Sequence, residues 1–212
     1  MDDERYRAAL ERLAGRSPAM SKRKQHTRRR IVGAASQLFR ERGVRRTSME
    51  EVAEAAGVSR ATLYTYADNK HDLLIKALAE EQLEHGRPRF SAEGPPGDRL
   101  RQLIAESIAA FQRMPLLSLL VKGDPEVLRS LEHHPEVRAA FPLDDLSLVA
   151  SLVMQVSPGL TSERARAYAR AIHQLTTVGP YLMDSALRDG ASGEAVAGNL
   201  ADLLVCGLES AS

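Results

Sequence analysis

The stretch Thr47-Ser-Met-Glu-Glu-Val-Ala-Glu-Ala-Ala-Gly-Val-Ser-Arg-Ala-Thr-Leu-Tyr-Thr-Tyr66 constrains the fold more than any other part of the chain. It reads as two short helices that cross at a tight turn. Ala53 is small enough for a close contact, Gly57 is free to take positive φ at the turn, and Leu63 supplies the apolar plug. Ser48 with Glu51 three residues on is a capping box, and Ser59 is placed to cap the second helix. Both helix starts are therefore signalled locally, and a helix-turn-helix is expected.

Charge is distributed in a way that bears on this motif. The net charge of the 212 residues is only +1, yet residues 1–70 carry sixteen Lys/Arg against nine Asp/Glu, and residues 71–212 carry thirteen against nineteen. Within residues 21–47 the ratio is ten to one. A charge run can be a plain solvated helix face. Set directly before a helix-turn-helix, it is better suited to face phosphate.

The remaining composition narrows the class. With 43% hydrophobic residues the chain can bury one good core and a smaller second one. Apolar runs such as Leu116–Val121 are far shorter than the ~20 residues of a membrane-spanning helix, and the N-terminus opens on Asp2, Asp3 and Glu4 rather than an apolar leader. A lone Cys206 excludes an internal disulfide framework and fits a reducing compartment, so a cytoplasmic protein with no membrane partner is expected.

Helical periodicity extends through the chain. Tyr6, Ala9, Leu10 and Leu13 recur at helical spacing before Gly15–Pro18. The sequence leaves open whether the first nineteen residues are an added arm or reflect the choice of start site. Ile31, Ala34, Ala35, Leu38 and Phe39 mark a helix closed by Gly43, with Thr27 as its candidate cap. Asn69, with Asp72 three residues on, can cap another, carrying Leu73, Leu74, Ala77, Leu78 and Leu83. Helices are further expected from Asp98 to about Arg113, over 116–121, 125–132, after Pro135, and over 144–156, 162–187 and 194–208. No alternation of apolar and polar residues suggests strands, so the fold class expected is all-α. The expected division is an extension over residues 1–20, a helix-turn-helix domain over 21–70 and a larger helical domain over 71–212.

Several residues then add up to a family. Thr27-Arg28, Ile31, Ala34-Ala35, Leu38-Phe39, Glu41, Gly43, Thr47-Ser48, Val52-Ala53, Ala55–Ser59, Thr62–Tyr64, Tyr66 and Lys70 resemble, in order and spacing, the DNA-binding domain of TetR-type transcriptional regulators. The resemblance covers about residues 24–78. It implies a three-helix DNA-binding domain, a larger helical domain that dimerises and often binds a small molecule, and usually repression. One position departs: Ala67 stands where the family usually places an aromatic ring.

The resemblance implies roles for named residues. The helix from Arg60 to about Tyr66 would enter the major groove, with Arg60 matched to guanine O6 and N7 and Ser59, Ala61 and Thr62 near enough for hydroxyl or methyl contacts. Tyr64, Tyr66, Lys70 and Thr47 or Ser48 would bind phosphate, and Arg28 in the Lys22–Arg30 arm would add salt-sensitive affinity. A dimer on palindromic double-stranded DNA is expected through the last two helices, by Tyr168, Ala171, Ile172, Leu175, Leu182, Met183 and Ala186 on one and Val196, Leu200, Leu203, Leu204 and Leu208 on the other, the competing reading being that one of these stripes packs inside the monomer. Ala197, Ala201 and Gly207 would let backbones approach. Phe111, Met114, Leu119, Met154, His173 and Thr176 are candidates for a pocket holding an apolar small-molecule effector.

Chemistry of other kinds finds little footing. His133 and His134 are adjacent, about 100° apart on a helix, unlike the i, i+4 pair that holds zinc, so neither a metal nor a cofactor is expected. Asp144-Asp145 is explained by a helix start, and no enzyme is expected. The competing reading is an all-α small-molecule-binding protein or enzyme whose basic N-terminus meets another acidic partner.

Overall fold

The computed structural model describes residues 3–85, 93–123, 137, 146–177 and 190–210. The described residues form ten helices and no strand, as periodicity predicts. They are α1 (Asp3–Leu13), α2 (Lys22–Arg42), α3 (Met49–Ala55), α4 (Arg60–Tyr64), α5 (Lys70–His85), α6 (Pro96–Arg113), α7 (Pro115–Gly123), α8 (Ser147–Val156), α9 (Ser162–Thr177) and α10 (Gly193–Glu209). The helices expected over 125–132 and after Pro135 lie outside the described residues, as do His133, His134, Leu182, Met183 and Ala186. No single described helix is long and apolar enough to cross a membrane.

The chain divides into two compact units, Met1–His85 with Met114–Pro142, and Gly86–Arg113 with Leu143–Ser212. The expected boundary at residue 70 is therefore displaced. The reason is α5, whose buried Leu73, Leu74, Ile75, Ala77 and Ala79 belong to the same core as Ile31, Ala35 and Phe39 of α2. The N-terminal stretch also belongs here: Ala9, Leu10, Leu13 and Ala14 are buried, and α1 packs on α5.

Local signals account for most helix ends in the first unit. Ser21 caps α2, its Oγ accepting from the Lys24 N–H at 3.4 Å. Thr27, the expected cap, lies inside the helix with its hydroxyl donating to the Arg23 carbonyl at 3.1 Å. Gly43 ends α2 at φ 81°. Asn69 Oδ1 accepts from the Asp72 N–H at 2.9 Å and starts α5 as expected. The first turn of α7 is capped from a distance: Glu81 accepts from the Leu116 and Leu117 N–H groups at 2.9 and 3.0 Å.

In the second unit α6 is the central element, packed by α8, α9 and α10. Leu100, Ile104 and Ile108 on one α6 face meet Leu152 and Val153 of α8, Ala165 and Ile172 of α9, and Ala197, Ala201, Val205 and Leu208 of α10. Ile172, Ala197, Ala201 and Leu208 belong to the stripes expected between subunits, with packing inside the monomer as the competing reading. They line this unit's own core, where small side chains let α10 approach α6. The outward side of α10 keeps Leu203, 73% exposed, with Leu200 and Leu204 half-buried. Arg101 ties α6 to α10 through Asp202 at 3.3 Å and Glu209 at 3.1 Å, and Ser157 donates to the Leu208 carbonyl at 2.5 Å.

Candidate nucleic-acid interface

The turn between α3 and α4 is built by side chains that return to the backbone. Ser48 Oγ accepts from the Glu51 N–H at 3.2 Å while Glu51 accepts from the Ser48 N–H at 2.8 Å, completing the capping box. Those bonds hold the Glu51 carboxyl below its ordinary value, the Ser48 N–H contributing most. Gly57 takes φ 61°, a left-handed geometry that favours glycine. Ser59 caps α4, its Oγ accepting from the Thr62 N–H at 3.1 Å. From α2, Arg30 donates to the Ala56 and Gly57 carbonyls at 2.5 and 3.1 Å. That guanidinium satisfies acceptors at the end of α3 that the helix itself leaves open.

With the turn held this way, α4 presents a polar face. Leu63 is fully buried beneath it, whereas Arg60, Ala61, Tyr64 and Thr65 are exposed, Tyr64 at 44%. Thr62 and Tyr66 are half-buried, and Tyr66 packs on the core. Arg60 forms an ion pair with Glu50 of α3. Lys70 donates to the Arg45 carbonyl at 3.1 Å, which brings its ammonium beside the Arg45-Arg46 loop. Lys22, Arg23, Lys24, His26 and Arg29 form an exposed basic surface on the first turns of α2.

Two expected phosphate ligands are placed elsewhere. Arg28 is 3% exposed and donates to Glu80 Oε2 at 2.9 Å and to the Ala14 carbonyl at 2.9 Å. It is enclosed under α1, so its charge serves the fold. The Thr47 side chain is likewise buried, its hydroxyl donating to the Gly43 carbonyl at 3.0 Å. Ser48 and Ser59 direct their hydroxyls into caps, Ser59 Oγ also lying 2.9 Å from Thr62 Oγ1. Thr65, Arg45, Arg46 and Glu50, which received no individual role from sequence, are exposed as well. The Arg45-Arg46 pair just ahead of the capping box was the available signal.

The residues proposed for an effector are not gathered in one described place. Met114, buried, and Leu119, 38% exposed, belong to the first unit. In the second, Thr176 is buried and donates to the His173 carbonyl at 2.8 Å. Met154 lines an open groove of about 710 Å³ between α8 and α9, with Leu146, Ala150, Gln155, Arg166 and Arg170 among its walls. The Phe111 side chain lies outside the described residues. Among the described residues no group of three or more His, Cys, Asp and Glu side chains could hold a metal ion.

A three-helix head with a capped second helix offered to solvent between basic surfaces is the arrangement of the helix-turn-helix class of DNA-binding domains. Residues 31–77 match the family described as bacterial regulatory proteins, tetR family, and this part of the chain is similar to the DNA-binding domain of that family. The chain is similar to the HTH-type transcriptional regulator AcrR of Shigella flexneri, 34% identical over 46% of this chain and 48% of that protein. It is also similar to the HTH-type transcriptional repressor KstR of Rhodococcus jostii, 33% identical over 49% of this chain and 50% of that one. The match thus spans about half the length of these curated relatives. Over 84% of this chain and 97% of the other, the fold resembles that of AibR, solved in complex with isovaleryl coenzyme A and operator DNA, with a TM-score of 0.64 at 18% identity.

Proposed function

We propose that the protein is a homodimeric, effector-responsive transcriptional repressor that reads a palindromic operator with α4. The observation that carries this reading is the exposed face of α4, with Arg60, Ala61 and Tyr64 mounted on a head whose turn is fixed from α2 by Arg30. Arg60 and Ala61 are assigned to base edges, Tyr64, Tyr66 and Lys70 to phosphates, and the Ser48 and Ser59 neighbourhoods to positioning. The regulators and repressors among its relatives support the same direction. DNase footprinting of the gene's upstream DNA tests it: a protected palindrome, lost with Arg60→Ala, is expected. Equal binding of that DNA and random duplex by the wild type overturns it.

The dimer is assigned to the outward side of α10, where Leu203 stands in solvent beside Leu200 and Leu204. A single head reads too few base pairs for a genome, which makes a twofold assembly on a palindrome physically sensible. Sedimentation of Leu203→Glu is expected to give a monomer. An effector that shifts the heads apart would act through the second unit. The α8–α9 groove, with Met154 and Ala150 facing Arg166 and Arg170, favours a molecule with an apolar part and a negative charge. AibR with isovaleryl coenzyme A and a Bacillus subtilis FadR with stearoyl-CoA are neighbours consistent with that chemistry. Acyl-CoA thioesters that leave the melting curve unmoved remove this part of the reading.

A further inference from the structure

Arg60 is the first residue of α4 and Glu50 lies in the first turn of α3, so their ion pair links the two helices of the motif across its open face. Both side chains are well exposed, Arg60 at 65% and Glu50 at 47%. An exposed pair of this kind contributes little to folding. Nor is Glu50 needed to start α3, because the capping box is made by Ser48 and Glu51. The pair is therefore poorly explained as a structural device. A carboxylate on a surface meant for a polyanion also carries a cost on every DNA sequence, since it repels phosphate.

Guanidinium chemistry gives that cost a use. Arginine has five N–H donors in a fixed fork, and the contact to Glu50 is made through Nη2. The second hydrogen of Nη2 and those of Nη1 remain for two further acceptors. Guanine O6 and N7 are neutral, so a guanine edge can take these donors while Glu50 keeps its own. A phosphate taking them would bring two anions together around one cation. Glu50 thus penalises the sequence-independent contact of Arg60 and leaves the base contact nearly untouched, which is specificity gained by a repulsive element.

We propose that Glu50 is a specificity-positioning residue, which aims the Arg60 fork at a guanine in each half-site and withholds it from the phosphate backbone. This rests on the reading of α4 as the recognition helix. The test uses the full-length protein with the duplex that it protects in footprinting, a random duplex, and the protected duplex carrying 7-deazaguanine at the Arg60 position. Glu50→Gln is expected to bind random duplex more tightly and to lower the ratio of specific to random affinity at least fivefold, on the order of one base-reading contact. Glu50→Asp should recover most of the ratio. The 7-deazaguanine duplex, which lacks the N7 acceptor, should weaken wild type and leave Arg60→Ala unchanged. In the Arg60→Ala background Glu50→Gln should no longer alter the ratio.

An unchanged ratio in Glu50→Gln overturns the inference, and so does an equal loss on both duplexes, which would mark a structural role. Thermal unfolding of the variant, followed in parallel, separates a folding defect from a recognition defect. If wild type itself fails to discriminate the two duplexes, the DNA-reading proposal fails first. If wild type discriminates and Glu50→Gln does so equally well, only the role of Glu50 is lost.

Discussion

Two arginine networks, one in each unit, use the same chemistry in opposite proportions. In the first unit two guanidiniums, Arg16 and Arg28, converge on the single carboxylate of Glu80 at 2.5 and 2.9 Å, and the Arg28 side chain is 4% exposed. In the second, one guanidinium, Arg101, serves Asp98, Asp202 and Glu209, whose side chains are 46–67% exposed. Solvent decides what each is worth. Water around the Arg101 carboxylates replaces a lost partner, whereas nothing replaces Glu80 beneath α1. The difference also assigns roles: the buried network fixes α1, α2 and α5 as one body, and the exposed one trims the α6–α10 contact.

The sharpest way to break this contrast is Glu80→Ala. It leaves buried positive charge without its carboxylate and is expected to cost ~3–5 kcal/mol in urea unfolding. Removing apolar support from the same network is next. Leu10→Ala empties a fully buried position of α1 and should cost ~2–5 kcal/mol by the same measurement. A loss near zero would mean that α1 is not part of the folded body.

The third test uses acid. Burial alone would raise the Glu80 carboxyl, but the hydrogen bonds and charges of Arg16 and Arg28 outweigh it and hold the group below its ordinary value. Because the folded state gives up this proton at lower pH than the unfolded chain, the stability involved is fully present above the usual carboxylate range. It is lost as pH falls through the depressed folded value. Glu81, next in sequence, has the opposite sign: burial raises its carboxyl, offset only in part by the Leu116 and Leu117 N–H groups and by the charges of Arg40 and His85. Its contribution is present at low pH and is lost as pH rises through the raised value. Thermal melts of Glu80→Gln across the acid range should therefore lose the steep fall of the wild type. Parallel curves would show that the buried pair does not govern acid unfolding. The smallest effect belongs to the exposed network, where Arg101→Ala should change stability by about 0–1 kcal/mol.

The same contrast separates what was legible in the sequence from what was not. The helix-turn-helix was legible because its determinants are local: Ser48 finds Glu51, Ser59 finds Thr62, and Gly57 carries its own backbone freedom. The Arg28-Arg29-Arg30 run was not. Successive helical residues point about 100° apart, so one basic run has three destinations. Arg28 goes to Glu80, Arg29 to solvent and Arg30 to the carbonyls of Ala56 and Gly57, and those partners lie 52, 26 and 27 residues away. The inner side of α10 was not legible for a related reason. Periodicity reveals that Ala197, Ala201 and Leu208 share an apolar side, but not that α6 of the same chain covers it.

Arg30 carries one more consequence. It grips α3 and the turn by carbonyl oxygens, and needs glycine at 57, where a Cβ would lie 2.6 Å from its Nη2, but no side chain of α4. The mount is therefore indifferent to the side chains displayed beyond it. Given Ser59 to start the helix and Leu63 to seat it, the outward positions of α4 can be exchanged like bits in a common chuck without recasting the head.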